Sequence, residues 1–457
     1  MDVVRRRIDE RSVRVGVVGF GYIGSCIGTV LAIRGLTVVG VDTDAGRVEE
    51  INAGTTSVRE AGLADLVNRA HAAGRLTAST DYGVLKETDV IVVTVGTPLG
   101  DGLTPNLNFI QEAANSIMPH LRRGHVVILK STVPPGATNG TVRPALERSG
   151  LIAGRDFGLV FSPERLAEGN AIAELQRLPI VVGGVDPRST EIAATFWETI
   201  LGVETSRVSS PGAAEFTKLA SNLWIDLNIA LANELAKLCD KLDIDGMEVI
   251  RAANTLPKGQ NKVNILFPSV GVGGPCLTKD PWFLYALGKD LEIALQIPEV
   301  SRRVNDSMPA YAVSAVERAL GNTGRIISGA KIAVLGLSFK TNTGDVRSTP
   351  VKEFVDLALS KGANVRLFDP LVAEQTTVDI FGRGQVASLD DAIAEADVIA
   401  VLTWHYEFRG ISFADLRSRV SMPCLILDGR NEFLPEKIAE AREQGFVYFG
   451  IGRGEAR

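Results

Sequence analysis

Short uninterrupted runs of aliphatic and β-branched residues recur along the chain, most of them ending at a glycine, a proline or a small polar residue. Runs this short and this apolar predict strands buried on both faces, as in a parallel sheet covered by helices. They fall at 13–18, 36–41, 89–95, 125–130, 156–161 and 180–184, the last closing a domain, and a helical pattern covers 25–34. Ser209-Ser210-Pro211-Gly212 reads as a boundary. Beyond it, residues 213–242 keep helical spacing without a proline or glycine, and a shorter helix is predicted over 245–254. The alternation then returns, with strands at 331–336, 363–368, 397–402 and 424–427 and a helix at 351–359. The order strand, turn, helix, strand, acid thus occurs twice. It predicts an α/β protein of two Rossmann-like, doubly wound parallel-sheet domains, divided as 1–210, a central helical region 211–320, and 321–457.

Composition narrows the function classes. With 457 residues there is room for two to three domains, and 45% hydrophobic with 22% charged residues is ordinary for a globular chain. A formal charge of −6 and the lack of a long basic run argue against a nucleic-acid partner. The four cysteines are far apart, which points to a reducing compartment, and neither they nor the four histidines show metal-ligand spacing, so no metal is expected. No apolar run approaches membrane length, so no membrane partner is expected. Residues 1–14 lack a signal-peptide core and read as a frayed, solvated tail. A cytoplasmic location is the expectation.

The first strand runs into Gly19-Phe20-Gly21-Tyr22-Ile23-Gly24, a G-x-G-x-x-G that opens a helix. The glycines allow a tight turn, backbone approach to a pyrophosphate and close helix–strand packing. The helix N-terminus offers N–H groups to the phosphates. Asp42 ends the next strand about 20 residues on, where an acid takes the ribose 2′-hydroxyl and disfavours a 2′-phosphate. NAD is therefore the expected cofactor, although Arg47 nearby is able to accept a phosphate. Thr97 and Thr132 follow the next strands, at the carboxyl ends that line the ligand crevice.

Further candidates carry chemistry. Glu164 and Glu168, four apart after a strand, form an acid/base pair on one side of a helical turn. Lys218 and Asn222 lie at i and i+4 on one helix face, suited to an oxyanion, with Glu215 a plain surface partner for Lys218. Asn228 and Asn233 sit in an apolar helix as interface or substrate groups. In the stretch 271–283, GVGGPCLTKDPWF, three glycines let backbone pass close to a bound molecule, while Cys276 is followed by Lys279 and Asp280. A nearby cation favours the nucleophilic thiolate. In the last third, Lys340, Arg347 and Arg430 sit at strand ends or in their loops, suited to a diphosphate or carboxylate.

Taken together, VGFGYIG, VGTP, KSTVPPG, SPERLAEG, EFTKLASN, GVGGPCLTKDPWF, GLSFKTNTGDVRSTP and LDGRN resemble the UDP-glucose/GDP-mannose dehydrogenase family over nearly the whole chain. The resemblance implies an N-terminal NAD-binding domain, a C-terminal domain for a UDP-sugar, and a long helix through which subunits form a homodimer or higher homo-oligomer. It implies oxidation of a sugar C6 alcohol to a carboxylate with two NAD⁺, as in uronic acid and polysaccharide biosynthesis. Cys276 matches the nucleophile, Lys218 and Asn222 the oxyanion pair, and Asp280 the acid that polarises water. Thr132, Glu164 and Glu168 match residues holding water and substrate, with either glutamate a proton relay. Tyr22, Ile23, Thr97, Glu168, Lys279 and Arg347 fall on the NAD side. Arg165, Asn264, Gly273, Lys340 and Arg430 fall on the substrate side. Arg165 replaces the phenylalanine common in UDP-glucose enzymes, and the stretches around 226–235 and 271–283 resemble the UDP-N-acetylhexosamine (ManNAc or GlcNAc) branch. Pro275 stands where that branch often has histidine, which keeps UDP-glucose as the alternative. A two-electron hydroxyacid dehydrogenase and a non-catalytic sensor of NAD and nucleotide sugar are the rival readings.

Overall fold

A computed structural model describes residues 1–454, so the last three residues of the 321–457 expectation lie outside the described residues. The chain divides into two compact units, Met1–Ser221 with Trp282–Ile293, and Asn222–Pro281 with Ala294–Arg457.

The first unit is built on an eight-stranded sheet: β1 (Arg14–Val18), β2 (Thr37–Val41), β3 (Leu76–Ser79), β4 (Val90–Val93), β5 (Val126–Leu129), β6 (Gly158–Phe161), β7 (Ile180–Gly184) and β8 (Thr205–Arg207). Its order is β3-β2-β1-β4-β5-β6-β7-β8, the dinucleotide-binding arrangement extended by two strands. Pairing is parallel except between β6 and β7. Strands β4, β5 and β6 are buried throughout, as their unbroken apolar runs require. One face packs against Phe20, Phe196 and Trp197, the other against Ile110, Val133 and Leu146. Strands β3 and β8 escape the apolar-run criterion because they are short, polar and at the sheet margins.

The N-terminus corrects an expectation. Residues expected as a frayed tail form helix α1 (Asp2–Asp9), whose Val4 and Ile8 are buried in the core. Burial of two such side chains contributes roughly 1.5–3 kcal/mol each, enough to hold a short arginine-rich helix that would not persist alone. The next helix, α2 (Tyr22–Ile33), starts three residues before the pattern predicts, because the fingerprint itself forms its first turn. Helix α3 (Pro187–Leu201) carries Trp197 into the core. Helix α4 (Pro211–Leu242) is the long connector, 32 residues without a break.

The second unit contains a ribbon, β9 (Pro257–Lys258) with β10 (Asn261–Lys262), and a parallel five-stranded sheet. The sheet strands are β11 (Lys331–Leu335), β12 (Asn364–Phe368), β13 (Val398–Val401), β14 (Leu425–Asp428) and β15 (Val447–Gly450), in the order β12-β11-β13-β14-β15. This is the other common doubly wound order, whose ligand crevice opens where β11 and β13 diverge. The helix asparagines of α4 act on neighbouring chain. Asn228 bonds the carbonyl of Asn264 and the N–H of Leu266, and Asn233 bonds Asn305 and the N–H of Ser269. They pin the 264–269 segment.

Candidate active site

The fingerprint forms the cradle expected of it. Gly21 is the N-cap of α2 and makes no side-chain cap, so the first N–H groups of the helix stay open to an anion. Gly24 is required by contact: a Cβ there would lie 2.0 Å from the Gly19 carbonyl oxygen and 2.7 Å from Thr94 Oγ1. Asp42 is buried at the end of β2, accepting the Phe20 N–H at 2.6 Å and Arg47 Nη1 at 3.2 Å. The arginine thereby sets a cation beside the acid. An open helix end, a backbone that approaches without side chains and a strand-end acid all fit NAD. Thr97 is buried and Thr132 half-buried after β4 and β5.

The loop after β6 carries both candidate glutamates. Glu164 accepts the Leu166 N–H at 2.6 Å and lies 3.6 Å from Lys130 Nζ. Arg165 donates to the Pro179 carbonyl. Gly169, beside Glu168, donates to Glu60 at 2.7 Å and to the Tyr22 hydroxyl, which itself bonds Glu60. Glu60 thus ties the dinucleotide fingerprint to the loop that holds Glu164 and Glu168. Nothing in the local sequence marks Glu60, because Gly169 is 109 residues away.

Glu215 is likewise not the surface partner expected for Lys218. It is fully buried and accepts the Gly136 N–H, the Thr138 N–H and the Thr138 hydroxyl at 2.6–2.8 Å, with burial raising its pKa. It clamps the Pro-Pro-Gly turn that follows Thr132. Lys218 and Asn222, one turn apart on α4, are both buried.

The cysteine stretch ends in a turn onto helix α5 (Asp280–Asp290). The Cys276 carbonyl accepts the N–H groups of Lys279 and Asp280 at 3.1 and 2.8 Å, so the residue sits in the turn that leads into α5. Cys276 is exposed, whereas Cys26, Cys239 and Cys424 are buried, and burial raises all three of their thiol pKa values, that of Cys424 to about 12. Asp280 is fully buried and accepts Asn222 Nδ2 and Lys279 Nζ, both at 2.5 Å. One oxyanion candidate is therefore oriented by the acid that follows the cysteine. Helix α6 (Ile297–Asp306) adds Arg302, which pairs with buried Asp226 at 2.7 Å and reaches the Leu277 carbonyl at 3.4 Å. The sequence reading missed this anchor, since Arg302 and Asp226 are 76 residues apart.

The glycines have a different reason from the one expected. A Cβ at Gly273 would meet Phe339 Cβ at 2.6 Å and the Ser348 carbonyl at 2.7 Å, and one at Gly274, where φ is +91°, would meet the Phe339 ring at 2.7 Å. They let this loop press against the 337–350 loop, which bounds the second cradle. There Arg430 is half-buried, donating to the Phe339 and Leu402 carbonyls at 2.7 and 3.2 Å, and desolvation lowers its pKa to about 10. Arg347 is exposed and paired with Asp345, Lys340 is half-buried, and Asn264 is exposed. Asp369 repeats the part of Asp42: it accepts the Leu337 N–H at 2.6 Å and contacts His405 at 3.0 Å. Among the described residues no cluster of His, Cys, Asp or Glu is placed to hold a metal, and no helix is long and apolar enough to cross a membrane.

Residues 13–201, 212–307 and 333–435 match, in turn, the NAD binding, central and UDP binding domains of the UDP-glucose/GDP-mannose dehydrogenase family. The chain belongs to that family. Among similar proteins, UDP-N-acetyl-D-mannosamine dehydrogenase of Pyrococcus horikoshii is 33% identical over 442 residues, covering 97% of this chain and 100% of its own. A solved structure of UDP-D-ManNAc dehydrogenase from P. horikoshii superposes with a TM-score of 0.86 at 32% identity, over 97% and 100% of the two chains. A UDP-glucose dehydrogenase from Pyrobaculum islandicum gives 0.84 at 28%, over 96% and 98%. As a UDP-glucose/GDP-mannose dehydrogenase family member, the protein is an NAD-dependent oxidoreductase that acts on a UDP-sugar.

Proposed function

We propose that this enzyme oxidises the C6 alcohol of UDP-N-acetyl-D-mannosamine to the carboxylate, in two oxidations on one site, with Cys276 as the covalent carrier between them. The observation that carries the reading is the exposed Cys276 in the turn before α5, followed by buried Asp280 bonded to Asn222. The choice of sugar follows the P. horikoshii protein, which aligns along its full length.

Bound NAD⁺ supplies the hydride acceptor in both oxidations. The fingerprint residues Gly19, Gly21, Tyr22, Ile23 and Gly24, with Asp42 and Arg47, hold it, and Thr97, Lys279 and Arg347 flank it. Loss of the first hydride, with the hydroxyl proton passing to water, leaves an aldehyde at C6. The Cys276 thiolate forms a C–S bond to that carbon, and the resulting oxyanion takes hydrogen bonds from Lys218 and Asn222. Loss of the second hydride leaves a thioester. Water then bonds to the carbonyl carbon, the C–S bond breaks to return thiolate, and Glu164 accepts the water proton. Thr132 and Glu168 hold water and substrate beside it. Arg165, Asn264, Gly273, Lys340 and Arg430 belong to the substrate side, Arg430 by fixing the 337–350 loop. The C-terminal part of α4 exposes Trp224, Leu227, Leu231, Leu238 and Leu242 at helical spacing, an apolar stripe suited to a second copy in a homodimer. The reaction and its charged substrate fit the cytoplasm.

UDP-glucose is the second reading, favoured by the similarity to the P. islandicum structure. NADH formation is to be compared across UDP-ManNAc, UDP-GlcNAc, UDP-glucose and GDP-mannose. The expected result is a kcat/KM for UDP-ManNAc at least about tenfold above the others, a difference of about 1.4 kcal/mol. A preference for UDP-glucose overturns the choice of sugar, and no turnover with any of them overturns the function.

A further inference from the structure

At the end of β5 a lysine is buried where the strand pattern calls for an apolar residue. Lys130 follows Ile128 by two positions and shares its face of the sheet, the face filled by Trp197 and Val160. Its side chain is 2% exposed, with Nζ 3.6 Å from Glu164 Oε2 and 4.9 Å from the centre of the Trp197 ring. Glu164 is itself only 12% exposed, and its Oε2 is a buried oxygen with no hydrogen-bond partner. Two more buried polar atoms without partners are Trp197 Nε1, on the ring beside the Lys130 ammonium, and Ser162 Oγ, on the residue that follows β6. A small cavity of about 20 Å³ is lined by Lys130, Glu164, Arg165 and Glu174. That is room for about one water.

We propose that Lys130 is a positioning residue: its buried side chain lies against the Glu164 carboxylate and aims it, and acts on the reaction only through that carboxylate. Taking a cation away from an enclosed carboxylate favours its neutral form. Lys130 faces Glu164 from β5. Arg165 from the same loop and Lys218 from α4 add positive charge near Lys130, while Glu174 lines the same cavity. Glu168 and the Cys26 thiol of α2 lie on the fingerprint side. Burial lowers the pKa of Lys130 and Glu164 opposes that shift. The inference rests on the assignment of Glu164 as the proton acceptor.

The test is turnover of UDP-ManNAc at saturating NAD⁺ from pH 5.5 to about pH 9.5, with full-length wild type, Lys130→Met, Lys130→Arg, Glu164→Gln and the Met/Gln double variant. Without its cation, Glu164 protonates more readily. The ionised base is then present only at higher pH, and the acid limb of kcat moves up by about one pH unit or more. Lys130→Met is expected to lower kcat about tenfold or more at pH 7 with KM nearly unchanged, Lys130→Arg to restore part of it, and the double variant to be no slower than Glu164→Gln by more than about twofold. An unmoved acid limb, or losses that multiply in the double variant, overturns the proposal while leaving Glu164 in its role. Full activity of Glu164→Gln overturns the assignment of Glu164 and the proposal with it. If Lys130→Met does not fold, as read by NADH binding, the Arg variant against Glu164→Gln decides: a normal pH profile for Lys130→Arg supports the proposal, and a profile like that of Glu164→Gln contradicts it.

Discussion

Replacing Cys276 with alanine is expected to lower steady-state turnover by at least about 10³-fold while leaving NADH affinity within about twofold. In the proposed mechanism the thiol forms the covalent link that carries the sugar from aldehyde to acid, so its loss removes the route to the second oxidation. The aldehyde is left to leak or to hydrate. Cys276 is exposed on a turn and its side chain is not part of either core, so the substitution creates no cavity and little loss of stability follows. The three other cysteines make the control. Cys26, Cys239 and Cys424 are buried with raised pKa values, and Cys424→Ala, or Cys26→Ala, is expected to leave the chemical step intact while lowering the melting temperature. Stopped-flow NADH formation and a thermal melt on each variant check both halves.

Asp280→Asn is expected to cost about 10²–10³-fold in kcat with a much smaller change in substrate KM. Asp280 is fully buried, and its two oxygens accept one donor each, from Asn222 and from Lys279. The asparagine keeps the volume but turns one acceptor into a donor. It faces Asn222 and Lys279, both of which also donate, so one of the two bonds becomes a clash of N–H groups. Asn222 then loses the orientation that the oxyanion role proposed for it needs, and the Lys279–Asp280 ion pair is lost. Asp280→Ala removes both bonds and adds a cavity, so it is expected to lose stability as well as rate, whereas Asp280→Asn separates the two effects. Steady-state kinetics with a melt on the pair of variants distinguishes them. A kcat within about threefold of wild type in Asp280→Asn contradicts the role given to the acid.

Much of this was legible before the structure, for a physical reason. A dinucleotide cradle places its turn, helix and acid within one stretch of chain, so glycine spacing and the end of β2 reveal it. The buried strands were readable because β4, β5 and β6 must be apolar on both faces. The supports were not readable, because each joins residues distant in sequence. Glu60 meets Gly169, Glu215 meets Thr138, Arg302 meets Asp226 and Lys130 meets Glu164, and every one of these side chains looks alone like a surface charge. The glycines of 271–274 show the opposite error. Their type was informative and the contacts that require it were not, since Phe339 and Pro350 occupy the space a Cβ would take and lie far away in sequence. Helix α1 misled for a third reason: three arginines dominate its composition, while Val4 and Ile8, one turn apart, decide its burial.

The most direct measurement of the central claim is the amount of NADH formed when UDP-ManNAc is limiting and NAD⁺ is in excess, with the sugar product identified. The account predicts about two NADH per sugar and a C6 carboxylate in wild type, and no more than about one NADH per sugar in Cys276→Ala. One NADH per sugar in wild type with an aldehyde or ketone product, or two in Cys276→Ala, would contradict it.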